Sequence, residues 1–419
     1  MTVPLGAVRS GADRGPRASS PSRHRRIAVV PPRYGDDVIG GAEAVLREMA
    51  EGLVERGWEV EALTTCARDH YTWRNELAPG ASVHRGVTVR RFPSVVSWEL
   101  PVKHELEARI LAGERLDITD QQRWANAGMR VPGLFDHLLE HGDEYGALIF
   151  APYMFWTTYA CATLESERTV LMPCLHDEPY ARLDIYAPLF RGSADVWFLS
   201  DPERDVAERL FGPLPRSAVI GSGIHAPRAY DAQGFRDRHG IPGRFLLYAG
   251  RREGGKGWED LLAQLGAIFS RTDLPFSLVT TGVGPVDPPA SMHGRVVDLG
   301  LLSGAEMPDA FAAADAYIQP SVMESFSRTI MEAWLAGTPV IGNARSPVVR
   351  WHCERSGAGL VYADEAELQA CLELVADEPE AAARLAARGR DYVLANYGWP
   401  AVLDRIEARL DEVAAACAS

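Results

Sequence analysis

The residues best suited to chemistry lie in one stretch, Pro320 to Asn343, which reads PSVMESFSRTIMEAWLAGTPVIGN. It holds two glutamates, Glu324 and Glu332, with seven residues between them. The apolar run Ala316-Tyr317-Ile318 just before it reads as a strand, and Ile330, Met331, Trp334 and Leu335 recur at helical spacing over Thr329 to Ala336. Gly337 stands where a helix ends, and Pro339-Val340-Ile341 opens another buried strand. The spacing therefore predicts strand, loop, helix and strand, with Glu324 in the loop and Glu332 on the helix. At the start of such a helix the amides of Ser327, Arg328 and Thr329 point outward, where N–H groups and the helix dipole favour a phosphate. Carboxylates beside a phosphate serve as acceptors for hydroxyls, which sugars and riboses supply. The same pair also fits a βαβ unit with two solvated glutamates.

Three other places carry candidate chemistry. After the strand Phe245 to Ala249 comes Gly250-Arg251-Arg252-Glu253-Gly254-Gly255-Lys256-Gly257, a glycine-rich loop ahead of a helix, suited to a phosphate with Arg251 and Lys256 as cations. Of the 43 basic side chains only Lys103 and Lys256 are lysines and the other 41 are arginines, so a compact ammonium at 256 has a reason to be there. Gly40-Gly41 stand at the start of a helix after the strand Ile27 to Val30, where an anion can approach the backbone closely. Their spacing is not G-x-G-x-x-G, so no dinucleotide fingerprint is present. His176 follows the strand Val170 to Met172, at the end of the sheet where open α/β folds place function.

Composition narrows the classes. A chain of 419 residues with 47% hydrophobic side chains suits two domains or more with sizeable cores. A net charge of −14 argues against nucleic acid or an anionic membrane as the main partner. The six cysteines are scattered, with no C-x-x-C, and read as reduced core thiols of a cytoplasmic protein. No apolar run reaches the ~20 residues a membrane span needs, and no His/Cys cluster or D-x-D offers a metal site.

The elements that must position these groups follow a repeated α/β pattern. Residues 1–26, rich in Arg, Ser, Pro and Gly, read as a disordered basic tail. Residues 27–225 read as one α/β domain, with polar helices from Glu105 to Arg115 and Gln121 to Leu139 as its variable part. The aromatics Tyr153, Phe155, Trp156 and Tyr159 fall at helical spacing within it. The hydrophilic segment through Gly243 reads as the crossing into a second domain, 226–397. A final helix with Val402, Leu403, Ile406, Leu410 and Val413 on one face ends the chain.

The stretch with Pro-Ser, Glu, seven residues, Glu-Ala and Gly-Thr-Pro-Val resembles the signature of the family-4 retaining glycosyltransferases, group 1, as does Gly-Arg, four residues, Lys-Gly at 250–257. The resemblance spans about residues 27 to 416 and is strongest in 245 to 343. It implies the GT-B fold: two doubly wound, Rossmann-like parallel-sheet domains facing across a cleft, with the last helix, 398–419, crossing back to the first. It implies transfer of a sugar from a nucleotide-sugar donor, a UDP- or GDP-sugar, to a small-molecule or glycan acceptor, with retained configuration, no metal and no permanently bound cofactor. Glu324 would meet the donor sugar and Glu332 the ribose. Arg251 and Lys256 would face the diphosphate, together with the amides of Ser325, Phe326, Ser327, Arg328 and Thr329. Gly282 would lie near the base, Gly40 and Gly41 near phosphate and acceptor, and His176 near sugar and acceptor. Retention is expected on one face, the departing phosphate taking the acceptor proton, so no nucleophile is assigned. The chain departs from the family in Ser325-Phe326-Ser327, where Gly-Phe-Gly is usual, and at His225, where an aspartate is usual. A catalytically silent nucleotide-binding paralogue, a sugar-phosphate synthase and a nucleotide-sugar epimerase are the alternative readings.

Overall fold

The computed structural model describes residues 25–38 and 40–418. Most of the expected basic tail, 1–26, lies outside them, and Arg26 belongs to the first strand. The first half contributes β1 (Arg26–Val30), β2 (Glu59–Thr65), β3 (Gly80–His84), β4 (Val87–Phe92), β5 (Val95–Val96), β6 (Met129–Arg130), β7 (Ala147–Phe150), β8 (Thr169–Leu171), β9 (Asp195–Phe198) and β10 (Ser217–Val219). Its helices are α1 (Gly41–Glu55), α2 (Leu100–Leu111), α3 (Ile118–Asn126), α4 (Pro132–His141), α5 (Trp156–Tyr159), α6 (Ala187–Gly192) and α7 (Asp201–Phe211). Eight of these strands form a sheet in the order β10-β9-β8-β7-β1-β2-β4-β3, parallel except for β3 on β4. Residues Ile27 to Val30 are fully buried, as expected of a parallel strand covered on both faces.

The second half contributes β11 (Arg244–Ala249), β12 (Phe276–Thr281), β13 (Val296–Asp298), β14 (Ala316–Gln319), β15 (Val340–Asn343) and β16 (Gly359–Tyr362). These form an all-parallel sheet, β13-β12-β11-β14-β15-β16. Its helices are α8 (Ala232–His239), α9 (Trp258–Arg271), α10 (Met307–Ala313), α11 (Arg328–Leu335), α12 (Pro347–Ser356), α13 (Glu365–Asp377), α14 (Pro379–Asn396) and α15 (Trp399–Ala418). Strand order reverses between β1 and β7 in one sheet and between β11 and β14 in the other. Ligands of doubly wound sheets bind at such switch points, beyond the carboxyl ends of the strands.

The last helix returns to the first sheet. Arg409 holds Asp195 of β9 through two hydrogen bonds of 2.7 and 2.8 Å, and Trp58 Nε1 donates to Glu407 at 2.7 Å. Three local expectations are corrected. The helix expected over Gln121 to Leu139 is split, because Gly128 and Pro132 interrupt it and β6 pairs with β5 between them. Of the aromatics at 153–159 only Trp156 and Tyr159 are helical, since Pro152 precedes the run. The polar segment before Gly243 holds α8, which packs on α10 through Arg236 and Arg238.

Candidate active site

The loop after β14 is built around a residue in an unusual conformation. Ser327 has φ 65° and ψ 66°, the left-handed region that side chains avoid. Gln319, buried at the end of β14, compensates: its amide donates to Ser327 Oγ at 2.6 Å and to Thr329 Oγ1 at 3.3 Å, and approaches Glu324 Oε1 at 3.4 Å. Phe326 turns inward and meets His352 and Tyr397 edge-on, with ring centroids 5.1 and 4.9 Å away. The serines standing where glycines are usual thus keep the turn, at a conformational cost.

Glu324 emerges from this loop against the glycine-rich loop after β11. Lys256 Nζ donates to Glu324 Oε1 at 2.8 Å, with only 11% of the glutamate side chain exposed. Burial pushes the Glu324 carboxyl up, but the charge and hydrogen bond of Lys256 outweigh it and hold the group below its ordinary range. Ser321 Oγ donates to Gly255 O at 3.2 Å, which ties the two loops together. The tandem arginines separate: Arg252 is buried in an ion pair with Asp298, whereas Arg251 is half exposed and reaches Glu253 at 3.1 Å. Gly282 has φ 137°, and a Cβ there would lie 1.9 Å from Gly250 O. Only glycine lets the end of β12 stack on the end of β11.

The side chain of Glu332, on α11, makes no hydrogen bond or ion pair with any described residue. Burial raises its pKa, Arg328 opposes that and Glu48 adds to it. The Arg328 guanidinium is taken by the first domain: it donates to both Glu48 oxygens at 3.0 and 3.1 Å and to Ser222 and Gly223 at 3.0 Å. What Arg328 offers an anion is its amide. Among the described residues the amides of Ser327, Arg328 and Thr329 have no protein acceptor.

Across the cleft, the loop after β8 carries His176 past Cys174, which has φ 51°. Burial lowers the His176 pKa to about 4. Glu324 opposes the shift, and Lys256 and Arg251 add to it. One histidine of the first domain thus shares an electrostatic environment with three charged groups of the second. At the start of α1, a Cβ on Gly40 would strike Glu43 Oε2 at 2.2 Å, while Gly41 faces open space. Gly40 therefore makes room for Glu43, which accepts from buried Arg33 at 2.6 Å, and Gly41 is the one a ligand could approach.

Sequence reasoning missed Gln319, Glu43, Glu48 and His70. The His70 pKa is lowered by burial, and by the charges of Arg33 and Arg251. Glu48 alone left a signal, since it lies on the polar side of a helix otherwise striped for the core. A further group, Asp36, Glu51 and His84, brings three ligand-type atoms within 4.8 Å. Arg47 and Arg85 already neutralise its carboxylates, and no sequence motif marked it.

Two doubly wound domains facing one another, with cations and carboxylates where both switch points meet, define the GT-B class of glycosyltransferases. Residues 243–377 match the family model described as "Glycosyl transferases group 1". That segment makes up most of the second domain, and with the following relatives the chain reads as a glycosyltransferase enzyme similar to that group. Glycogen synthase of Mycobacterium tuberculosis is 28% identical over 90% of this chain and 92% of its own. Sucrose-phosphate synthase of Thermosynechococcus elongatus superposes with a TM-score of 0.71 at 17% identity, covering 94% of this chain and all of the other. The Anabaena protein HepE, in complex with UDP and glucose, gives 0.67 at 16% identity, covering 93% and 100%. No helix of the described residues is long and apolar enough to cross a membrane.

Proposed function

We propose that the protein transfers a glycosyl group from a UDP- or GDP-sugar to a hydroxyl of a small-molecule or glycan acceptor, with the anomeric configuration retained. The observation that carries this reading is the convergence of Glu324, Lys256 and Arg251 from the second domain with His176 from the first. The UDP and glucose held by the Anabaena protein support the donor class.

Arg251, Lys256 and the free amides at the start of α11 supply positive potential where the diphosphate leaving charge develops, a transition-state role. Glu332, whose side chain has no hydrogen-bond partner among the described residues, accepts from the ribose hydroxyls. Glu324, kept ionised by Lys256, accepts from hydroxyls of the transferred sugar. His176 is neutral at ordinary pH, so its ring can both donate and accept a hydrogen bond to sugar or acceptor. The departing phosphate takes the acceptor proton, and no protein nucleophile is required. The serines at 325 and 327 weigh little toward a silent paralogue, because the left-handed turn they build is intact.

A thermal-shift screen of UDP, GDP and ADP tests the reading. The matching nucleotide at 100 Kd adds about 2.7 kcal/mol of stability, and the corresponding nucleotide sugar is then consumed in the presence of alcohol acceptors. Tight binding with neither transfer nor donor hydrolysis would establish the silent paralogue instead.

A further inference from the structure

We propose that Ser200 and Glu203, at the N-terminus of α7, are positioning residues that set His176 against the donor loop. The inference rests on the role given to His176 above. Glu203 is 1% exposed, and among the described residues no cation pairs with its carboxyl group. Its oxygens are spent on backbone instead: Oε1 accepts from Leu175 N at 2.7 Å and Oε2 from Leu199 N at 2.6 Å. Leu175 is the residue immediately before His176, and it follows Cys174, whose backbone is held in the left-handed region. A strained backbone persists only where its surroundings over-determine it, and the Glu203–Leu175 bond does this for the His176 loop.

Ser200 extends the same brace across the domain boundary. Its hydroxyl is fully buried, accepts from Glu203 N at 3.3 Å and donates to Ser325 O at 2.8 Å. Ser325 is the neighbour of Glu324. Four consecutive residues thus fix the residue before His176 on one side and the residue after Glu324 on the other. Ser200 and Glu203 also form an ordinary capping box, serine to the Glu203 amide and glutamate back to the Ser200 amide. The bonds to Leu175 N and Ser325 O lie outside that cap. Burial, opposed by the amides of Leu199, Leu175 and Ser200, pushes the Glu203 carboxyl up to about 8.

The test is a double-mutant cycle on the full chain, with bare UDP and GDP as binding probes. A glutamine at 203 presents an NH2 group to one of the two amides, donor against donor, so the loop must shift. Glu203→Gln is expected to lower the transfer rate constant by roughly 10- to 100-fold, as small misplacements of reacting groups do, with nucleotide affinity within about twofold. In a His176→Ala background the same change should cost nothing further, because what it positions is gone. Additive losses would overturn the brace while leaving the site intact. A wild-type rate in His176→Ala would overturn the reading of the site itself. If Glu203→Gln does not fold, Ser200→Ala must lower the transfer rate with nucleotide affinity held, and Ser200→Thr, which keeps the hydroxyl, must restore the rate. An unchanged rate in Ser200→Ala would overturn the proposal.

Discussion

The two loops that meet at the cleft, Pro320 to Thr329 and Pro173 to Glu178, solve one problem in different ways. Each carries a non-glycine residue in the left-handed region, Ser327 in one and Cys174 in the other. The donor-side loop gets its turn from within: Gln319 donates to Ser327, Thr329 and Glu324, all inside an eleven-residue span, with Ser200, Gly255 and Lys256 adding ties from outside. The loop of His176 is held from outside, by Glu203 through Leu175 and by Tyr153, whose hydroxyl donates to Glu178 at 2.9 Å. Locally built geometry leaves a motif, whereas geometry imposed from a distance does not.

The comparison breaks most sharply at the charges. Lys256→Ala and Arg251→Ala should each cost roughly 2–4 kcal/mol of transition-state stabilisation, comparable to losing an oxyanion-hole donor. Steady-state kinetics check this, and EDTA is expected to leave the rate intact. The Lys256 change should be the larger, because it also leaves Glu324 buried beside a vacated ion pair.

A smaller effect separates the two glutamates. Glu332→Ala should weaken binding of the bare nucleotide by about 1.5–3 kcal/mol, the worth of hydrogen bonds to a charged group. Glu324→Ala should lower turnover with little change in nucleotide affinity, since sugar contacts change during transfer and ribose contacts do not. Calorimetry with the nucleotide alone distinguishes them, and equal losses of affinity would refute the division.

Acid sharpens the contrast next. Phe326 of the donor-side loop rests on His352, which is fully buried and whose pKa burial lowers to about 3 from an ordinary 6.5. The stability tied to the neutral ring is complete above about 6.5 and is lost as pH falls toward 3, because the unfolded chain takes up the proton first. Glu203, raised by burial, titrates with the opposite sign. The difference between His352→Gln and wild type therefore isolates the histidine. Denaturant titrations should show a slope of at most ~1.4 kcal/mol per pH unit that is lost in the variant.

The smallest effect falls on Ser327. Glycine would remove a left-handed cost of about 1–2 kcal/mol but lose the Gln319 hydrogen bond, worth about 0.5–1.5 kcal/mol, and add about 0.5–1 kcal/mol of chain entropy. Ser327→Gly should shift the melting temperature by only a few degrees and leave transfer active.

Much of the fold was legible because parallel strands buried on both faces appear as short apolar runs, and Ile27 to Val30, Phe245 to Ala249 and Ala316 to Ile318 all fell in strands. Glu324, Lys256 and Arg251 were legible because the loops that carry them are local motifs. The α13 helix was legible too, since Leu368, Cys371, Leu372 and Val375 recur at i, i+3, i+4 and i+7. Glu203 and Glu48 were not assigned roles, since the partners that matter, Leu175 and Arg328, are brought near by sheet order and by the domain interface. Gln319 was missed although its partners are local, because a glutamine ending an apolar strand carries no spacing signal.

A structure of the protein with a nucleoside diphosphate 2-fluoro sugar tests the central claim most directly. The account predicts the diphosphate between Arg251, Lys256 and the first amides of α11. It predicts the ribose hydroxyls within about 2.6–3.2 Å of Glu332, and the sugar within the same reach of both Glu324 and His176. A nucleotide bound elsewhere, or a sugar out of reach of His176 with Lys256 still closed on Glu324, would contradict it.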